Sequence, residues 1–109
     1  IRHSIEVNAK RWTATMKSVM DPERTKKGRM QDIRAMRNYH VHFMVPELLD
    51  YMRRSGDPEV QQAMLEAFGW FTLSARRDEI ARTAFDMSRD ESLAPAVRSE
   101  ALKTYNRLK

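Results

Sequence analysis

One pattern is written twice in the second half of this chain. Residues 57–70 and 94–106 match at an offset of 37 residues: Pro58 with Pro95, Val60 with Val97, Gln61 with Arg98, Leu65 with Leu102, Phe68 with Tyr105 and Gly69 with Asn106. A period in this range belongs to helical units that cannot bury an apolar face alone and do so by stacking on their neighbours. The repeat therefore restricts the chain to an all-α stack. It predicts that the helices carrying the two copies, about 58–73 and 94–108, lie side by side and run in the same direction. It does not say what the stack holds, because partners of such scaffolds are selected by surface residues that no motif records.

Apolar residues recur at helical spacing in six segments, within a chain of 109 residues read as a single domain. The first, near 4–20, carries Ile5, Ala9, Trp12, Met16 and Val19 on one face. Asp21-Pro22 reads as N-cap and first position of a second helix running to about 39, with Met30, Ile33 and Met36 inward. After the loop 39–44 a third helix, 45–54, holds Val45, Leu48, Leu49 and Met52, and Ser55-Gly56 stops it. Asp57-Pro58 repeats the cap pair and opens the most apolar helix, with the stripe Val60, Ala63, Met64, Ala67, Phe68 and Phe71; so wide a stripe implies neighbours on two sides. Following a turn at 74–77, the segment 77–88 turns Ile80, Ala81, Ala84 and Phe85 inward, and 94–108 does so with Val97, Ala101, Tyr105 and Leu108.

Antiparallel helix pairs with a proline at the start of every second helix resemble the HEAT repeat family. The residues that carry the resemblance are Pro58-x-Val60-Gln61 with Ala67-Phe68-Gly69, and Pro95-x-Val97-Arg98 with Ala101-Leu102. Met64 stands where the family has a small residue, Gln61 where it has a basic one and Asn106 where it has glycine. Upstream, Asp21-Pro22-Glu23 repeats the start but lacks the valine. The resemblance implies a right-handed α-α superhelix of about three helix pairs. It also implies that the second helices, 45–54 and 77–88, line the concave side.

Residues that carry chemistry are sparse. The chain has no Cys, so thiolate nucleophiles, disulfides and zinc-thiolate sites are excluded, and its three glycines stand singly at 28, 56 and 69, which leaves no phosphate-cradling loop. His40-x-His42 supplies two of the three or four ligands a zinc ion needs and only on extended backbone, so no metal site is expected. The acidic pairs Asp78-Glu79 and Asp90-Glu91 diverge on a helix and suit caps. The reading is a non-enzymatic protein-interaction or scaffold module without a cofactor or a membrane span, its protein partner and oligomeric state not legible. A lesser alternative is an accessory segment of a larger enzyme. Outward-facing Arg53, Arg54, Arg77, Arg82 and Arg89, together with Glu47 and Asp50, form the candidate protein-binding surface, since Arg captures carboxylates bidentately. Trp70 falls off the apolar stripe and joins the candidates, as an exposed interaction residue or as a cover for the open end of the stack.

Charge distribution supplies the runner-up. Residues 1–55 hold 12 Lys and Arg against 6 Asp and Glu, while residues 56–109 hold 8 against 9. Within the basic half, Arg24, Lys26, Lys27, Arg29, Arg34 and Arg37 are opposed over residues 24–37 by Asp32 alone. Such a cluster has the electrostatic footprint of a nucleic-acid surface. Against it, the charges wrap around the helix instead of sharing one face, as on an ordinary solvated helix. The eight methionines split between core filling and adaptable surface.

Overall fold

A computed structural model describes residues 14, 15, 17–36, 45–72 and 74–109. Among them there is no strand, and five helices have both ends defined: α1 (Lys26–Met36), α2 (Val45–Arg54), α3 (Pro58–Phe68), α4 (Arg77–Ser88) and α5 (Pro95–Leu108). A helical stretch at 17–19 precedes them and places Val19 in the core. Ile5, Ala9, Trp12 and Met16 of the expected first stripe, and the loop bearing His40 and His42, lie outside the described residues.

The chain packs α1, α3 and α5 side by side, with α2 against α3 and α4 against α5. Local pairs give the directions. At the start of α1, the Lys26 ammonium sits 3.0 Å from Asp57 and 3.4 Å from Glu59, at the start of α3. One and two turns on, Met30 and Arg34 share a cleft with Gln62 and Glu66. Further along, Thr104 Oγ1 donates to the Leu65 carbonyl at 2.7 Å, and then Arg107 lies over Trp70. Sequence number rises together across both contacts, so the three helices run the same way. The two helices that carry the repeat are thus adjacent and co-directional. The Cα envelope of 45 × 33 × 17 Å has a short dimension suited to two layers of helices about 8–10 Å apart.

The apolar stripes meet between these layers. Phe68, Met64, Leu65 and Val60 of α3 are buried together with Ile33 of α1, Leu48 and Met52 of α2, Ile80 and Ala84 of α4, and Val97 and Ala101 of α5. Phe68 and Phe71 meet edge-on at 5.4 Å. Helix α3 is the central element, as the width of its stripe predicts.

Several expectations need correction. Asp21 does not cap α1: its carboxylate accepts the amide of Glu23 in a turn, and α1 begins four residues after Pro22. The cap is Thr25, whose Oγ1 accepts the third-position amide of Gly28 at 3.1 Å. A residue with its own side-chain acceptor next to a good helix-forming run takes the N-terminus from the Asp-Pro pair. Helix α3 ends at Phe68, not near 73, because the Gly69 amide closes it onto the carbonyls of Leu65 and Glu66 and the chain leaves through turns at Trp70 and Phe71. Phe85 is not inward. Ile80, Ala81, Ala84 and Met87 occupy the buried face of α4, and Phe85, about 100° round from Ala84, is 37% exposed. Asp57 and Pro58, in contrast, cap α3 as expected, with Asp57 Oδ1 accepting the Glu59 amide at 3.0 Å. Gln61, buried against α2, donates to the Met52 and Ser55 carbonyls at 3.2 and 2.8 Å and closes that helix end.

Candidate interaction surface

Of the six protein-binding candidates, five sit on or beside α2 and α4, and Trp70 follows the C-terminal end of α3. Arg53, Arg54, Arg77, Arg82 and Arg89 are all exposed. Arg54 pairs with Asp50 one turn back at 2.8 Å, which occupies its guanidinium within its own helix. Arg77 donates to the Thr72 carbonyl at 3.3 Å. Arg53 lines a small cavity of about 70 Å³ with Gln61, Asp86, Met87 and Asp90, so the C-terminal ends of α2 and α4 approach each other there. Asp90 is held below the usual carboxylate range by the Ser92 hydroxyl and amide, with Arg53 and Arg98 adding attraction. Arg89 stacks on the Phe85 ring, 5.6 Å from its centroid.

Trp70 stands just past the end of α3. It is 46% exposed at the junction of α3 and α5, with Arg107 over its ring at 5.3 Å and its indole N–H directed at Glu66. Gly69 makes room for that stacking, since a Cβ there would stand 3.3 Å from Arg107 Cδ. Trp70 thus stacks with Arg107 of α5, and Arg77 reaches the Thr72 carbonyl two residues further along the chain.

Half of the basic N-terminal set is engaged in contacts within the fold. Arg24 binds Asp32 at 2.7 Å, and Ser18 donates to the same carboxylate. Lys26 bridges to Asp57 and Glu59, which raises its pKa and lowers that of Asp57. Arg29 is half-buried and donates to the Tyr51 hydroxyl at 2.9 Å. Arg34 lines a shallow cleft of about 270 Å³ beside Met30, Glu59, Gln62, Glu66 and Glu100, an acidic surrounding that repels phosphate. Lys27 is exposed, and Arg37 lies outside the described residues. Three of these six cations thus hold elements together. The linear sequence shows Asp32 as their opponent, but Asp57, Glu59 and Tyr51 arrive only through the fold.

A second surface was not singled out from the sequence. Phe85 on α4 and Tyr105 on α5 meet at 5.1 Å, Leu102 stands one turn before Tyr105, and Lys109 lies over the Tyr105 ring at 5.6 Å. Leu102 is 48% exposed. The signal was present in the repeat: the apolar positions that are buried in the first copy, Leu65 and Phe68, recur in the second as Leu102 and Tyr105.

No helix among the described residues is long and apolar enough to cross a membrane. Nor do the described residues bring together three or more metal-ligating side chains. The sequence matches no protein-family model, no curated protein and no solved structure.

Proposed function

We propose that this chain is a HEAT-like helical-repeat module that acts without chemistry of its own, as a scaffold for protein partners. The observation that carries the reading is the co-directional layer α1–α3–α5, each helix packed on the next, with α2 and α4 set against it. That is the arrangement in which a repeat adds surface by translation. The finer reading is a right-handed superhelix of about three helix pairs whose α2 and α4 side is the partner surface. Exposed Arg53, Arg77, Arg82 and Arg89 suit a carboxylate-bearing protein, because each fork can accept a carboxylate in bidentate geometry. The nucleic-acid alternative loses ground from the internal pairing of Arg24, Lys26 and Arg29.

Site-specific photocrosslinking tests the reading. A photoreactive residue at position 54 or 77 should trap one and the same polypeptide in cells, and charge reversal at Arg53 and Arg82 should abolish the adduct. A residue at position 27, on α1, should give none. Adducts of equal yield from all three positions, or a nucleic-acid adduct at position 27 alone, would sink the proposal.

A further inference from the structure

The two repeat copies are equivalent in sequence and unequal in burial. Leu65 is 1% exposed and Phe68 fully buried in a helix on which α5 packs, Thr104 of α5 donating to the Leu65 carbonyl. Their counterparts Leu102 and Tyr105, at the same offset of 37 residues, are 48% exposed and half-buried. The positions that receive a helix in the first copy are therefore present, apolar and uncovered in the second. Phe85 extends the patch onto α4 through its contact with Tyr105, so both helices of this pair present apolar groups on the same open side. Two antiparallel helices with such a shared row leave a groove into which a third helix packs.

The chemistry of the third helix follows from the rim. Arg89 stacks on Phe85 and Lys109 on Tyr105, and among the described residues neither has an Asp or Glu within ion-pair distance. Arg82, one turn before Phe85, adds a third exposed cation. Acidic neighbours are directed elsewhere: Glu79 is held by Arg76 at 2.9 Å, Asp86 lines the cavity with Arg53, and Glu100 turns to the cleft on the α3 side. Asp78 lies two turns from Phe85, about 10 Å along α4. The face is thus apolar at its centre and cationic around it.

We propose that the open face formed by Phe85, Leu102 and Tyr105, with Arg82, Arg89 and Lys109 at its rim, docks an amphipathic acidic helix of a partner protein. Leucine-like side chains of that helix cover Leu102 and the Phe85–Tyr105 pair, and its flanking carboxylates meet the rim cations. This names a partner class for the scaffold reading and rests on it; the face shares Arg82 and Arg89 with the α2 and α4 surface, but its apolar centre at Leu102 and Tyr105 lies on α5, apart from the crosslinking positions 54 and 77 in the chain.

The test uses the full chain and a fluorescein-labelled helical peptide of about 16 residues, with Leu at i, i+3, i+4 and i+7 and Glu and Ala elsewhere. Fluorescence anisotropy should show binding that weakens with added salt, and Leu102→Glu should weaken it about tenfold or more, as expected for a buried interface anchor. A Lys-for-Glu version of the peptide should not bind. Circular dichroism checks that the variant stays folded, and the double charge reversal Arg89→Glu with Lys109→Glu, both at exposed tips, supplies a second variant with the same expected loss. No binding of the acidic peptide, or equal binding of the Lys version or of both variants, overturns the proposal. So does wild-type dimerisation in sedimentation that Leu102→Glu abolishes and the peptide does not compete with, since the occupant is then a second copy. Failure here with intact adducts at 54 and 77 removes only the docking helix; loss of those adducts with intact peptide binding removes only the arginine surface.

Discussion

Helices α3 and α5 share a pattern but not a fate. In α3 the stripe is covered on both sides, by α1 and α5 in its own layer and by α2 beyond it. In α5 the same positions have α3 and α4 on one side and open surface on the other. An apolar residue in a repeat therefore marks a capacity for burial, and location in the stack decides whether that capacity is used. The difference also separates two roles for one residue type: Leu65 stabilises the fold, whereas Leu102 is available to a partner.

The comparison can be broken by matched truncations. Phe68→Ala should lower stability by about 3–5 kcal/mol, the sum of lost transfer energy and the cavity left behind, and Leu65→Ala by about 2–5 kcal/mol. Tyr105→Ala should cost about half the Phe68 value, since a half-buried ring loses less transfer energy and leaves an open dent. Leu102→Ala should stay within about 0.5 kcal/mol. Urea midpoints for the four variants measure this directly. Equal losses for Leu65 and Leu102 would show that α5 is as fully covered as α3, and the distinction would fail.

A smaller contrast sets Gln61 against Arg98. Gln61 closes the end of α2 with two hydrogen bonds to carbonyls, so Gln61→Leu leaves both acceptors without their donor and should cost about 1–3 kcal/mol. Arg98 holds the equivalent position with its Nε buried and without a hydrogen-bond partner. Arg98→Gln removes that unsatisfied donor and should leave the stability read from urea unfolding within about 0.5 kcal/mol of the parent value. A large loss at Arg98 would mean that its guanidinium does the same closing work for α4 as Gln61 does for α2.

Much of the fold is legible because periodicity and caps are local. The stripe of α3, the Asp57-Pro58 start and the parallel placement of the two repeat helices all follow from spacing within 37 residues. Thr25 displaced Asp21 as the cap of α1 because the two compete within four residues, and a residue-by-residue pattern does not weigh one acceptor against the other. Phe85 is misread for a related reason: four apolar residues on α4 are enough to fill its buried face, and periodicity alone does not say which fifth one is left out. The surfaces are least legible. Lys26 looks like part of a phosphate-binding run until the fold brings Asp57 beside it, and the Arg107 that stacks on Trp70 lies 37 residues away in sequence.

The weakest contrast between the copies lies at their first residues, and pH separates it. Asp57 caps α3, and its carboxyl is held below the ordinary value of 3.8, first by the Lys26 ammonium and also by the Glu59 amide. Ala94 opens α5 with no side-chain cap. A group whose folded pKa is depressed contributes its full stability above the unfolded pKa, and that contribution is lost as pH falls through the folded value. Asp57→Ala should therefore cost about 1 kcal/mol at neutral pH, as N-cap removal does, and progressively less as pH falls from 3.8 through the lower folded value, where the parent carboxyl itself becomes neutral. Lys26 has the opposite sign: its raised pKa keeps the pair intact below 10.5 and releases it only in more alkaline solution. Because Lys26 is exposed and Asp57 only half-buried, salt screens the pair, so Lys26→Met should produce a smaller drop than Asp57→Ala, and one that shrinks with ionic strength. Urea midpoints at neutral and acid pH decide the matter. A Lys26→Met loss as large as that of Asp57→Ala would make the ion pair, and not the cap, the device that distinguishes the start of α3 from the start of α5.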